Sequence, residues 1–296
     1  MDIPNIDNLT HTVIASVSGG KDSTALCLHL KERGIPYIAV HMDTGWEHPD
    51  TDQYIREVLP QHIGPIEWIV PERTMIPLIH HKAMFPSRVR RYCTQFLKVF
   101  PLQQWLDDRY GPDVVNAVGI RAAESAARSK LDEWEHIEWA WTWRPLIGWS
   151  EQNVIDIHTR NNVRPNPLYL KGAARVGCWP CIFARKEEIR TIANTDPARI
   201  DLIRQLETEV VAAAAARYAA RGETFESLDY CQPTFFALKK AVPGPDGIIV
   251  RKNVCVPIDE VVQWSRTSHG GRQFDLFSNF EDERSGCMKW GLCDSD

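Results

Sequence analysis

Ser16-Val17-Ser18-Gly19-Gly20-Lys21-Asp22-Ser23 is the stretch on which the reading of this chain turns. The apolar run Thr12-Val13-Ile14-Ala15 precedes it, and the helical pattern Thr24-Ala25-Leu26-Cys27-Leu28-His29-Leu30 follows it. Together they read as strand, glycine turn, helix. Backbone N–H groups of such a turn and the positive end of the helix form an anion site, and glycine lets the backbone approach a phosphate closely. Lys21 adds a point charge, the hydroxyls of Ser18 and Ser23 add donors, and Asp22 suits Mg²⁺ or a substrate group. The spacing is not that of a Walker A loop. The plainer alternative is an ordinary strand–helix turn with a solvated lysine.

Working outward, Tyr37–Met42 reads as a second buried strand ending at Asp43-Thr44-Gly45-Trp46-Glu47, with Thr51–Leu59 as a helix and Ile66–Val70 as a third strand. Strand–helix–strand alternation predicts a parallel sheet with right-handed crossovers. Open sheets of that kind bind ligands at the carboxyl ends of their strands. Asp43 is therefore a candidate to touch a nucleotide or its metal, with a loop or cap carboxylate as the alternative. Val114–Ile120 is another strand and delivers Arg121 to the same rim, with Arg128 seven residues on; guanidinium groups there suit phosphates. Trp139, Trp141 and Trp143 alternate as in a strand packed on one face, and Ser150 caps a helix over Asn153–Thr159. Helices are expected over Glu187–Asn194, Pro197–Ala220 and Ile258–Arg266. The architecture expected is α/β, a twisted, mainly parallel sheet with helices on both faces. It divides into a main domain, 1–228, and an appendage, 229–296, that folds back over the sheet's ligand edge.

Composition is that of a globular chain: 296 residues, 44% hydrophobic, 25% charged, net charge −5. No apolar stretch approaches the roughly 18–20 residues of a membrane span, and the polar, acidic start is unlike a signal peptide, so a cytoplasmic protein without a membrane partner is expected. Overall charge does not favour nucleic acid, but Arg88, Arg90 and Arg91 fall within four positions, either as a solvated face or as an anion-neutralising patch.

Eight cysteines in a cytoplasmic chain argue against a disulfide framework and for metal or thiol chemistry. Cys27 falls on the apolar face of the first helix and reads as core. Cys178-Trp179-Pro180-Cys181 brings two thiolates onto one ion or cluster edge; alone it fits zinc, iron–sulfur or a redox dithiol.

Six ordered motifs now coincide: SGGKDS at 18–23, DTGWEHP at 43–49, RYCTQFLKVFPL at 91–102, GIRAAES at 119–125, RPLIGWSEQNV at 144–154 and NPLYLKGAARVGCWPCI at 166–182. This order resembles the phosphoadenosine-phosphosulfate (PAPS) reductase family of the adenine-nucleotide α-hydrolase, or PP-loop, superfamily, over roughly residues 12–190. The resemblance implies that Ser16, Ser18, Gly19, Gly20, Lys21, Asp22, Ser23, Asp43, Arg121 and Arg128 bind a nucleotide and that Lys21, Asp22 and Arg121 carry the catalysis. Within the family two styles compete. APS reductases carry a [4Fe–4S] cluster on a cysteine pair and a later Cys-x-x-Cys, and have a degenerate loop because no ATP is split. Here Tyr92-Cys93 stands where the pair would be, and the loop is intact, as in the ATP-cleaving branch that includes DndC-like sulfur-transfer proteins.

The resemblance thus implies an adenylating ATP pyrophosphatase in sulfur transfer, with ATP, Mg²⁺ and a [4Fe–4S] cluster on Cys93, Cys178, Cys181 and Cys287. Cys231 or Cys293 are alternative fourth ligands, and Zn²⁺ on Cys178, Cys181, Cys287 and Cys293 is the alternative metal. The partners it implies are a sulfur donor such as a cysteine desulfurase, an acceptor that includes nucleic acid, and partner subunits. The alternatives are an APS/PAPS reductase releasing sulfite and a nucleotide-binding subunit without turnover.

Overall fold

The computed structural model describes residues 3–4, 11–111, 113–137, 140–228, 230–243, 249–268 and 290. In chain order the elements are β1 (Thr12–Ser16), α1 (Lys21–Glu32), β2 (Ile38–Met42), α2 (Pro49–Gln53), α3 (Pro60–Ile63), β3 (Ile66–Ile69), α4 (Met75–Lys82), α5 (Tyr92–Thr94), α6 (Phe100–Arg109), β4 (Val114–Ala117), β5 (Trp134–Ile137), β6 (Ala140–Trp143), α7 (Glu151–Arg160), α8 (Pro167–Leu170), α9 (Lys186–Thr195), α10 (Pro197–Ala219), β7 (Phe236–Pro243), β8 (Ile249–Val256) and α11 (Ile258–Ser265). They separate into two compact units. The first comprises the described residues of Met1–Glu72, Gln95–Trp179 and Phe280–Asp296; the second those of Arg73–Thr94 and Pro180–Asn279.

The first unit is built on a six-stranded sheet in the order β3-β2-β1-β4-β6-β5. All neighbours are parallel except β5, which runs antiparallel to β6. β1 is apolar on both faces because both are covered. Val13 and Ala15 join a core with Leu26 and Leu30 of α1 and Val154 and Ile157 of α7, while Ile14 packs with Leu102, Trp105 and Leu106 of α6. The tryptophan run resolves into the β5–β6 hairpin: Trp143 is fully buried, and Trp134 stacks on it with ring centroids 5.2 Å apart. Trp139 lies outside the described residues. β4 is shorter than the Val114–Ile120 expectation, because Gly119 leaves the sheet to lie against α1.

The helix expected over Thr51–Leu59 is interrupted by a π turn at Tyr54–Val58, and a second π turn, Gln95–Val99, precedes α6. A proline follows each within two residues, Pro60 and Pro101. A proline lacks the N–H and its ring meets the carbonyl four residues back; the wider turn relieves that clash.

The second unit is organised by the 23-residue α10. The Glu207 carboxylate of α10 accepts the backbone N–H of Phe235 (2.9 Å), ahead of β7, and that of Ile258 (3.0 Å), at the start of α11. Arg204 holds Asp259 through two hydrogen bonds of 2.8 and 2.7 Å, and Arg217 donates to the last carbonyls of α4, those of His81 and Lys82. β7 and β8 form a separate antiparallel hairpin. Cys231 and Cys255 are joined in a disulfide, their Cα atoms 6.2 Å apart, so this pair departs from the expectation of metal or thiol chemistry, and Cys231 is not available as a cluster ligand. The hairpin returns Cys255, opposite Ala237, to the chain entering β7; a separation of 24 residues conceals that proximity. Among the described residues, no helix is long and apolar enough to cross a membrane.

Candidate active site

The sheet order places β1 between β2 and β4, so the chain leaves β1 toward one side and β4 returns on the other. That is the topological switch point at which open α/β sheets bind ligands outside the carboxyl ends of their strands. Residues 17–20 occupy it. Gly19 has φ +70°, and a Cβ there would lie 2.9 Å from side-chain carbons of Ile55 and Thr51. Only glycine satisfies both the turn and the packing. Gly20 caps α1 in an extended conformation and lends it no side-chain cap; of the first-turn N–H groups at the loop, that of Lys21 is taken by the Tyr169 hydroxyl.

The two serines shape the loop. Ser23 Oγ accepts from the Ser18 N–H (3.1 Å) and donates to the Gly20 carbonyl (3.0 Å), and the Ser18 hydroxyl lies 3.2 Å from it. Beneath the loop, buried His41 donates from Nδ1 to the Val17 carbonyl (2.8 Å), and its burial holds its pKa below the ordinary value. Ser16 Oγ reaches Asn116 on β4 at 3.4 Å.

Four charged groups converge beside it. Lys21 is buried, its Nζ 3.3 Å from Glu151 Oε1 and 3.9 Å from Asp22 Oδ2. Asp22 Oδ1 accepts from Arg121 Nε at 2.5 Å, and Arg121 is also buried. Gly119 makes this possible: a Cβ there would sit 2.5 Å from the Asp22 carbonyl oxygen, so the end of β4 can meet α1 only as glycine. Arg128 stands apart. It pairs with Glu124 across two short 3₁₀ turns, Ala122–Glu124 and Arg128–Lys130, separated by an extended Ser125. Asp43 folds onto its own loop, accepting the Gly45 N–H at 3.0 Å with Arg56 at 3.8 Å.

Several residues of this site carry no local sequence signal of their role. Tyr169 is buried and its hydroxyl accepts the Lys21 N–H (3.1 Å), while the Lys21 ammonium lies 5.1 Å from its ring centre. Asn166, also buried, donates to the Gly19 carbonyl and to Thr51 Oγ1, each at 3.2 Å. Both belong to the Asn166-Pro167-Leu168-Tyr169 motif, whose presence was the only hint. His158 on α7 is buried with Nδ1 on the Val154 carbonyl (2.8 Å); burial first, and the charge of Lys21 after it, bring its pKa down to about 4. Trp290, from the C-terminal tail, packs against Ile155, Tyr169 and Val176.

The cysteines behave differently. Cys27 is core, with burial raising its pKa to about 12. Cys178 bridges to Glu47 and, with Trp179 donating to the Trp46 carbonyl (2.9 Å), fastens the 43–47 loop within the first unit. Cys93 and Cys181 are half-buried residues of the second unit. Cys287 and Cys293 lie outside the described residues, and Cys231 is taken by its disulfide. Among the described residues, no three His, Cys, Asp or Glu side chains gather to hold a metal ion, so the described cysteines do not by themselves make a cluster site.

A protein of Escherichia phage 186, "Uncharacterized 37.8 kDa protein in gpa 5'region", is 28% identical over 91% of this chain and 92% of its own length. The adenosine 5'-phosphosulfate reductase of Burkholderia cepacia is 30% identical over 51% of this chain, which spans 62% of that reductase. Among solved structures, the phosphoadenylyl-sulfate reductase of Candida auris is similar over 57% of this chain and 81% of its own, with 18% identity and a TM-score of 0.45. Residues 12–184 match the family described as "Phosphoadenosine phosphosulfate reductase domain". With its glycine loop at the switch point and the match running unbroken from β1 past the Cys-x-x-Cys, the chain belongs to the phosphoadenosine phosphosulfate reductase domain family.

Proposed function

We propose that the protein is an adenylating ATP pyrophosphatase that works in sulfur transfer. The observation that carries this reading is the complete loop. Gly19 has a positive φ, Gly20 gives α1 no side-chain cap of its own, and Lys21 and Arg121 are buried beside the loop. Phosphates would lie over Gly19, Gly20 and the first turn of α1, exchanging with Glu151 for the Lys21 ammonium. An acceptor oxygen attacks the α-phosphorus, the bond to the β-phosphate oxygen breaks, and pyrophosphate leaves. A sulfur nucleophile then displaces AMP from the activated acceptor. Lys21 and Arg121 act by position and charge on the phosphates. Mg²⁺ would supply a further charge; Asp22 is held by Arg121 and so serves first to orient that guanidinium.

The test is turnover of α-labelled ATP with sulfate, DNA or tRNA as acceptor. Labelled AMP and free pyrophosphate are expected, with Lys21→Ala lowering the rate by about 10²-fold or more, the scale for one lost charge stabiliser. A second reading, an APS/PAPS reductase, is favoured by the name of the Burkholderia relative. No ATP cleavage, together with thioredoxin-dependent sulfite release from APS or PAPS, would replace the first reading by the second.

A further inference from the structure

Charge is distributed unevenly in this acidic protein. The second unit carries 18 Lys and Arg against 13 Asp and Glu, the rest of the chain 16 against 26. Within the second unit, 73–94 holds Arg73, Lys82, Arg88, Arg90 and Arg91 and no carboxylate. β7 and β8 add Lys239, Lys240, Arg251 and Lys252, again with no Asp or Glu on either strand. Six other arginines, Arg56, Arg121, Arg128, Arg144, Arg160 and Arg204, each pair with a carboxylate. Arg88, Arg90 and Arg91 are exposed and pair with none among the described residues. Instead Arg88 and Arg91 rest on one aromatic ring, 5.6 and 5.3 Å from the centre of Phe183.

Next to Arg88 is a cavity of about 260 Å³ within the same unit, walled by Phe236 and Leu238 of β7, Ile189 of α9 and Trp264 of α11, with Arg185, Lys186 and one carboxylate, Glu187, also lining it. Roughly 150 Å³ suffices for benzene, so this space takes a heteroaromatic ring system. Unpaired guanidinium groups beside a ring-sized cavity with aromatic walls form the combination that binds single-stranded nucleic acid, where cations follow the backbone and aromatic faces take splayed bases. We propose that the second unit is a nucleic-acid-binding surface, with Arg88, Arg90 and Arg91 on the phosphates and one unstacked base in the cavity beside Trp264. This deepens the adenylation reading by naming the acceptor class, but the binding needs no ATP.

The test uses the full chain and fluorescein-labelled 20-nucleotide single-stranded DNA, the matching duplex and single-stranded RNA, followed by anisotropy at 50 and 200 mM salt. Single strands bind more tightly than duplex. Three neutralised phosphates, at a slope of about −0.7 each, weaken binding roughly 16–20-fold over that salt range. Arg88→Gln, Arg90→Gln and Arg91→Gln combined weaken binding at least about tenfold at low salt and remove most of the salt dependence, while the melting temperature holds, since all three are exposed. A 5-bromouridine oligonucleotide crosslinks to peptides containing Phe236 or Trp264. Absence of binding at 50 mM salt, binding unchanged in the triple variant, crosslinks confined to other peptides, or binding only to phosphatidylserine vesicles each overturns the proposal. ATP cleavage is measured on the same preparation. Its absence with nucleic-acid binding intact defeats the adenylation reading alone; the reverse defeats this inference alone.

Discussion

Gly119→Ala is the sharpest test of how the site is built. The new Cβ would lie 2.5 Å from the Asp22 carbonyl oxygen, 2.7 Å from its carbon and 3.0 Å from Ser23 Cα. Ordinary contact begins at 3.4 Å, so the end of β4 and the first turn of α1 must part by about 0.9 Å. The obstructing atoms are backbone and cannot rotate away. Overpacking of this kind costs about 1–3 kcal/mol. At roughly 2–4 °C per kcal/mol, the melting temperature falls by about 2–12 °C. The same displacement moves the Asp22 carboxylate that holds Arg121 and the N–H groups of the first turn; a misplacement near 1 Å lowers turnover by about 10²-fold. Differential scanning fluorimetry and pyrophosphate release read the two effects. A variant that melts within about 1 °C of the parent and turns over at the parental rate would refute both the close approach and the claim that it sets the loop.

Tyr169→Phe keeps the ring under Lys21 but orphans the Lys21 N–H, and is expected to cost about 1–3 kcal/mol of stability, read by denaturant titration, with weaker ATP binding by calorimetry. His158, with its pKa lowered to about 4, is neutral in the fold and must charge on acid unfolding. Its contribution is therefore present above the ordinary histidine pKa and lost as pH falls from about 6.5 toward 4; His158→Phe should flatten that limb of the stability–pH curve. Glu207→Leu should unfold the second unit more readily, by about 1–3 kcal/mol for each of the two orphaned N–H groups, seen as a lowered urea midpoint.

The strand–turn–helix at 12–30, the parallel alternation and the Ser150 cap were legible because each is written in neighbouring residues. Lys21, Asp22 and Arg121 do converge, since strand order alone carries β4 to the side of β1. The supports were not legible. Tyr169 and Asn166 meet the loop from almost 150 residues away, and a tyrosine in an apolar stretch has no local mark of that duty. The π turns are not legible because a proline two residues further on marks a helix boundary and not a widened turn, and the extended Ser125, which sets Arg128 apart from Arg121, has no signal in the sequence. The antiparallel β5 was hidden in a tryptophan run whose periodicity indicates a buried face but not a direction.

One carboxylate in the second unit has a consequence for how this protein varies. Glu207 takes the N–H groups of Phe235 and Ile258, so the chain leaves for the β7–β8 hairpin and comes back from it at a single fixed point. Loop closure grows only logarithmically more costly with length. Changes of length in the far half of the hairpin are therefore expected to leave α10 and α11 in place, provided that Phe236, Cys255 and Val256 at its base are kept.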